Sequence, residues 1–269
     1  MRKILYLLTI PLLLFACVGQ KDDPDDPIEG PEGPEVPVGP ESGSRFFRRT
    51  LALEFTATWC QYCPNMAEAL EEAKLQRPGR FVEIAVHYAD DLSATECDAI
   101  VEQLKVLAYP TMIFDWNEST RFNQQDPARM TDYIDGLLAG TEDACGIAVK
   151  SEVKNGTVSV SVSMTAAYDG AFSLVAALVE DDIRVTQTGA GANYPCNAVL
   201  RGFLSPGQKG KPTGTLKAGE SFTATFSAKA PAEGTKSRVV AYVLRNGIAV
   251  NAATCDVNGK SDYTYEKDD

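Results

Sequence analysis

The chain has 269 residues, 44% of them hydrophobic, which is long enough and apolar enough for two folded domains. Its formal net charge of −12 at pH 7 argues against nucleic acid as a partner. Residues 21–44 alone hold eight acids and one base, so much of this charge belongs to one short segment near the N-terminus.

Residues 1–16 have the pattern of an export signal. Arg2 and Lys3 precede an apolar core at 4–15, which is too short to remain as a membrane-spanning helix. The run LFAC ending at Cys17 resembles a bacterial lipobox, in which the cysteine becomes the lipidated first residue. The alternative is plain secretion with cleavage near Ala16. In both cases the mature chain leaves the cytosol, so disulfides can persist.

Residues 17–44 are predicted to form a tether. Prolines recur about every third residue among acids and glycines, a composition that favours an extended polyproline II chain and offers nothing to bury. The acidic stretch 20–23, just after Cys17, also resembles the signal that sends lipoproteins of Bacteroidetes to the outer face of the outer membrane. The alternative is a solvated linker. We therefore expect a lipid-anchored protein of the cell envelope, on the periplasmic or the surface-exposed face of the outer membrane.

Residues 45–141 alternate between strand and helix patterns, which indicates a layered α/β domain. The predicted strands are 49–55, 81–88, 111–114 and a short one near 120–122. The predicted helices are 64–76, 95–107 and 127–138.

Cys60 and Cys63 lie between the first strand and the first helix of this domain, as the motif WCQYCP. A helix N-terminus carries unpaired N–H groups and partial positive charge, which favour the thiolate of Cys60. Cys63, one helical turn later, is placed to resolve a mixed disulfide. Half of a zinc site is one alternative, but the chain has one histidine and no second CxxC. A purely structural disulfide is the other.

Residues 142–269 lose the helical period and predict a β-sandwich of immunoglobulin-like type. Short alternating strands are expected at 147–153, 157–165, 172–180, 221–228, 238–245 and 248–255. A long connection bearing glycines and prolines, 182–212, interrupts the series. Such a connection is often functional, although it can simply cover a sheet edge.

The segment from Glu54 to Pro64 resembles the thioredoxin superfamily. The resemblance implies that Tyr109-Pro110-Thr111 is the cis-proline loop facing the dithiol, and that Pro110 belongs to the catalytic site. It also implies that Glu54 is a buried acid that relays a proton to or from Cys63. The alternative for Glu54 is an exposed glutamate on an edge strand.

The same resemblance implies which residues contact substrate. These are Trp59, Tyr62, Tyr109 and Thr111, although Trp59 can also serve only in packing. The chain departs from the family between the cysteines, where Gln61 and Tyr62 replace the usual dipeptides. Those residues tune thiolate stability, so the direction of electron transfer stays open.

Residues 45–258 as a whole are similar to the Omp-related outer-membrane lipoproteins of Bacteroidetes. The motifs that carry this similarity are TLALEFTATWCQYCP, AVHYADDL, AYPTMIFD, LVEDDI and NAVLRGFL. The family combines a thioredoxin-like domain with a C-terminal β-sandwich. It implies an envelope lipoprotein but brings no well-defined substrate.

The single histidine and four further cysteines complete the candidate residues. His87 lies near the carboxyl end of a central strand, where it either tunes the dithiol or contacts substrate, or is simply packed. Four cysteines allow three pairings. We favour Cys196–Cys255 within the sandwich and Cys97–Cys145 between the domains, with buried free thiols as the alternative.

These observations predict a thiol–disulfide oxidoreductase that acts on protein thiols or disulfides, as a reductase, oxidase or isomerase. Because the sequence has no phosphate loop, nucleophile elbow or metal-ligand cluster, we expect neither cofactor nor metal. The rival hypothesis is a binding protein at the cell surface that uses the thioredoxin-like domain as a scaffold.

Overall fold

A computed structural model describes residues 45–139 and 145–266. The predicted export signal, Cys17 and the tether lie outside the described residues, as does the predicted domain boundary at 141/142. No helix within the described ranges is long and apolar enough to cross a membrane.

The first half contains three strands and three helices that position the dithiol. Strand β1 is buried along its whole length, pairing in parallel with β2 and antiparallel with β3. The elements are β1 (Thr50–Thr56), α1 (Cys63–Gln76), β2 (Phe81–His87), α2 (Cys97–Gln103), β3 (Thr111–Phe114) and α3 (Pro127–Ala139). In place of the short strand expected near 120–122, a 3-10 turn spans Glu118–Thr120, and Phe122 makes one isolated bridge to Met112.

Both faces of β1 are covered by apolar side chains, as expected for a central strand. Leu53 and Phe55 face one core with residues of α2, and Ala52 faces another with residues of α1 and α3. Helices on both faces of this sheet give the layered α/β arrangement that the alternating pattern predicts.

The second half consists of strands that build a β-sandwich. They are β4 (Gly146–Lys154), β5 (Thr157–Thr165), β6 (Gly170–Asp181), β7 (Ile183–Gln187), β8 (Gly191–Cys196), β9 (Val199–Phe203), β10 (Lys211–Leu216), β11 (Ser221–Lys229), β12 (Lys236–Arg245), β13 (Ile248–Asp256) and β14 (Lys260–Ser261). The sheet β11-β5-β4-β14 packs on the sheet that contains β6, β12 and β13, over a shared apolar core. The predicted fold class, an α/β domain followed by a β-sandwich, is confirmed.

One sheet runs through both halves of the chain in the strand order β13-β12-β6-β9-β2-β1-β3. Strand β9 makes the junction: it pairs in parallel with β2 at Ala85 and Val199, and antiparallel with β6. The buried ion pair between Arg48 and Asp115 makes a second link between the halves, since Arg48 also donates to the Val250 carbonyl in β13. The two halves therefore share backbone hydrogen bonds and core.

The structure contradicts both predicted disulfides outside the CxxC motif. Cys97, Cys145, Cys196 and Cys255 are free, buried thiols. Each proposed pair is split between separate apolar clusters, so the partners face different parts of the core. The four residues serve as small apolar side chains in these cores, which is a common role of free cysteine.

Candidate active site

The dithiol occupies the turn from β1 into α1. Cys63 is the first residue of α1, and Pro64 follows at a position where a helix needs no N–H donor. The two sulfur atoms are joined by a disulfide of 2.07 Å. Cys60 is only 4% exposed and Cys63 only 2%. The oxidised pair is thus placed at a helix N-terminus but is well covered.

Aromatic side chains surround the outer side of the disulfide. Tyr109 packs against the apolar cluster of Ala57, Cys60 and Cys63, and its ring centroid lies 5.4 Å from that of Trp59 and 5.5 Å from that of Tyr88. Trp59 is 47% exposed and Tyr62 is 57% exposed. These two side chains are therefore accessible at the surface, and their role as substrate contacts stays a prediction.

The loop 109–111, before β3, lies beside the dithiol, as the family resemblance implies. The Tyr109–Pro110 peptide bond is cis. Thr111, which we predicted to contact substrate, is buried, and its hydroxyl donates to the Ala108 carbonyl at 2.8 Å. Its side chain braces the loop, so a substrate contact at this position would have to use the backbone.

Glu54 is buried beneath the dithiol, because β1 lies between two strands and is not an edge. Its Oε1 atom has no hydrogen-bond partner among the described residues. Burial, and then the nearby charge of Glu83, raise the pKa of Glu54 well above its ordinary value. Lys74 forms an ion pair with Glu83, with Nζ 2.5 Å from Oε2, and its charge only partly offsets the rise in the pKa of Glu54. The surroundings of Glu54 therefore favour its protonated form.

A cavity of about 510 Å³ lies behind the disulfide and connects these groups. Its lining includes Glu54, Cys63, Glu83, His87, Gln187, Tyr194 and Cys196. Glu54 and Cys63 thus border the same cavity, which a proton relay between them would need.

His87 is buried at the end of β2 and is paired with Asp90. The imidazole Nδ1 lies 2.8 Å from Asp90 Oδ2, which also accepts a hydrogen bond from the Thr58 N–H at 2.7 Å. Burial would raise the pKa of Asp90, but its hydrogen bonds and the charge of His87 outweigh burial and lower it. The Asp90 carboxylate therefore joins the His87 ring to the backbone of the loop that leads to Cys60.

Sequence patterns did not point to two residues that hold the loop carrying Cys60. Asp90 holds the Thr58 N–H, and Gln187 donates from Nε2 to the Cys60 carbonyl at 2.9 Å. The acidic turn after the second strand could have suggested the first. For the second, the only signal was the length of the 182–212 connection. Within residues 45–139 and 145–266, no set of three His, Cys, Asp or Glu side chains is arranged to hold a metal ion.

Comparison with known proteins agrees with this geometry. The family model described as Thioredoxin matches residues 47–137. Residues 47–137 form a thioredoxin domain. The matched range contains β1 to β3, the cysteine pair and the cis-proline loop, so the superfamily resemblance is confirmed.

Solved structures extend the likeness beyond the thioredoxin domain. HBP35 of Porphyromonas gingivalis aligns with a TM-score of 0.68 and 19% identity, over 83% of this chain and 80% of its own. Protein AGR_C_4864 of Agrobacterium tumefaciens aligns with a TM-score of 0.52 and 15% identity, over 81% and 97%. At these identities the likeness concerns the fold alone. No curated protein matches the chain.

Proposed function

We propose that the thioredoxin domain exchanges electrons with protein thiols or disulfides through Cys60 and Cys63. The observation that carries the proposal is a closed Cys60–Cys63 disulfide at the N-terminus of α1, with Cys63 bordering the same cavity as the buried Glu54, whose pKa is raised. A helix N-terminus stabilises the thiolate that reduction of the pair would release.

In the oxidising direction, a substrate thiolate attacks Cys60 Sγ and forms a mixed disulfide. The Cys60–Cys63 bond breaks, and its electron pair leaves on Cys63 Sγ, which takes the proton held by Glu54. A second substrate thiolate then attacks the substrate sulfur, which closes the substrate disulfide and releases Cys60 as a thiolate. The reverse sequence reduces a substrate disulfide with the same residues, and Glu54 then takes the proton of Cys63.

The surroundings of the pair favour an extended, partly apolar polypeptide as substrate. Trp59, Tyr62 and Leu107 are large apolar side chains on the surface, and Leu107 is 93% exposed. Exposed apolar groups beside a reactive site commonly mark a contact surface. The backbone next to Pro110 would pair with the substrate chain.

A disulfide-exchange assay tests the proposal. Wild-type protein should reduce insulin with dithiothreitol as electron donor, or reoxidise reduced ribonuclease, while Cys60→Ala should be inactive in both. Cys63→Ala should accumulate a mixed disulfide on Cys60 that mass spectrometry can identify. Cys255→Ala, which removes a buried thiol in β13, should keep wild-type activity. Wild-type protein no more active than Cys60→Ala in both assays would contradict the proposal.

The burial of both cysteines favours a second function, binding without redox turnover. In that case the thioredoxin domain is a scaffold and the disulfide is structural. The reduction potential separates the two functions, because structural disulfides typically have potentials below about −300 mV. An exchangeable bond above that value supports the oxidoreductase.

We also propose that the protein is lipid-anchored in the cell envelope through Cys17, on the outer membrane. The sequence around Cys17 and the acidic stretch 20–23 support this proposal. Cys17→Ala should abolish incorporation of labelled palmitate and move the protein from the membrane fraction to the soluble fraction. Protease treatment of intact cells would then report whether the protein faces outward.

A further inference from the structure

We infer that the hairpin formed by β7 and β8 is a clamp that positions the dithiol, with Gln187 and Gly189 as its positioning residues. The hairpin comes from the strand-rich half of the chain and pairs only within itself among the described strands. Its turn lies against residues 57–61, which lead into and include the first cysteine.

Gln187 ties the hairpin to this segment by buried hydrogen bonds. Its Nε2 atom donates to the Cys60 carbonyl at 2.9 Å and to the Ala57 carbonyl at 3.1 Å. These bonds join residues 127 and 130 positions apart in the chain. Removing the amide would leave buried carbonyl groups without this donor, which is costlier than losing a bond at the surface.

The tip of the hairpin fits against the peptide between the two cysteines. The Thr188 N–H donates to the Thr58 carbonyl at 2.9 Å. Gly189 has a φ of +90°, and a Cβ atom built there would lie 2.2 Å from the Gln61 carbonyl oxygen. A side chain cannot occupy that space, so only glycine lets the two backbones approach this closely.

The clamp bears on the redox pair because it holds the Cys60 side of the turn, while α1 holds Cys63. The stability of an intramolecular disulfide depends on the effective concentration of one thiol at the other. Loosening residues 57–61 should lower that concentration and shift the equilibrium toward the dithiol. The Cys60–Cys63 pair would then have a higher reduction potential and be a stronger oxidant.

The test is the reduction potential of three hairpin variants of the full-length protein. Each is equilibrated in glutathione buffers, and the state of Cys60 and Cys63 is read by alkylation and mass spectrometry. Gln187→Met, nearly isosteric, and Gly189→Ala should each change the equilibrium constant about tenfold, which is about 30 mV upward for a two-electron couple. Gly191→Ala should match wild type, because this glycine shares the positive φ, at +93°, but no described heavy atom lies within 4 Å of a Cβ built there.

Unchanged potentials in Gln187→Met and Gly189→Ala, or an equal shift in Gly191→Ala, would overturn the inference. Circular dichroism checks that each variant is folded; if Gly189→Ala is not, Gln187→Met, which leaves the backbone unaltered, decides. The clamp deepens the proposed function, but its equilibrium test needs no protein substrate. A wild type inactive on insulin with shifted variant potentials would refute the proposed oxidoreductase and leave the clamp standing.

Discussion

At the residue scale, the chemistry of the site depends on a carboxyl group placed away from water. Glu54 lies on a central strand, beside a second carboxylate, Glu83, and next to the cavity that Cys63 borders. Burial and like charge both favour the protonated form. A glutamate with a raised pKa is better suited than an exposed glutamate to supply a proton when Cys63 leaves as a thiolate.

Glu54→Gln should stabilise the oxidised protein and flatten its pH dependence. In wild type the unfolded chain ionises near 4.5 while the folded chain keeps the proton, so stability falls as pH rises from there toward the raised pKa. Each pH unit in that window corresponds to about 1.4 kcal/mol. Urea unfolding from pH 5 to 8 measures the effect, with Glu68→Gln on the exposed cavity wall as control. Parallel profiles for wild type and Glu54→Gln would refute the raised pKa.

Asp90→Asn should destabilise the protein by about 1.5–3 kcal/mol at pH 7, the usual range for hydrogen bonds to a charged group. The carboxylate holds both His87 and the Thr58 N–H. Because folding lowers the pKa of Asp90, this contribution is present above pH 3.8 and disappears as the pH falls through the folded pKa. Asp91→Asn, its exposed neighbour, should change little. Equal unfolding free energies for the two variants would argue against this role.

At the element scale, local patterns predicted most helices and strands, but not where some of them end. Apolar spacing predicted a helix at 95–107, whereas α2 ends at Gln103 and Leu107 is exposed. The chain turns at Lys105, which has a φ of +49°, and no glycine marks the turn. For residues 182–212, the sequence indicated a long connection but not its contacts. Its contact with residues 57–61 is made between distant parts of the chain, which local patterns do not encode.

Because Leu107 is exposed, replacing it can test substrate contact without a large effect on the free energy of unfolding. Leu107→Ala should change the free energy of unfolding by less than about 0.5 kcal/mol, as for most surface positions. Leu104→Ala, three residues earlier in the buried core, should cost about 2–5 kcal/mol. If Leu107 contacts substrate, Leu107→Ala should slow insulin reduction and leave reduction of a small aromatic disulfide unchanged. Similar unfolding costs for the two variants would contradict the exposure of Leu107.

At the scale of the whole molecule, the halves that the sequence suggests as separate are joined by a sheet. Strand β9 inserts between β2 and β6, and the core beneath it mixes residues of both halves, such as Leu53 and Tyr242. The sequence could predict the thioredoxin pattern and the sandwich pattern, since each is written in local periodicity. It could not predict the junction, because the residue pattern of a five-residue strand is too short to indicate which strands it pairs with.

This shared core predicts a single cooperative unfolding transition. Both tryptophans, Trp59 and Trp116, lie in the first half, so fluorescence reports that half, while far-UV circular dichroism is dominated by the many strands of the second. The two urea curves should coincide.

Tyr242→Ala in β12 removes a fully buried ring and should shift both curves together, by about 3–5 kcal/mol. Thr225→Ala, exposed on β11, should shift neither curve appreciably. A fluorescence transition unmoved by Tyr242→Ala would mean that the halves unfold independently despite their common sheet.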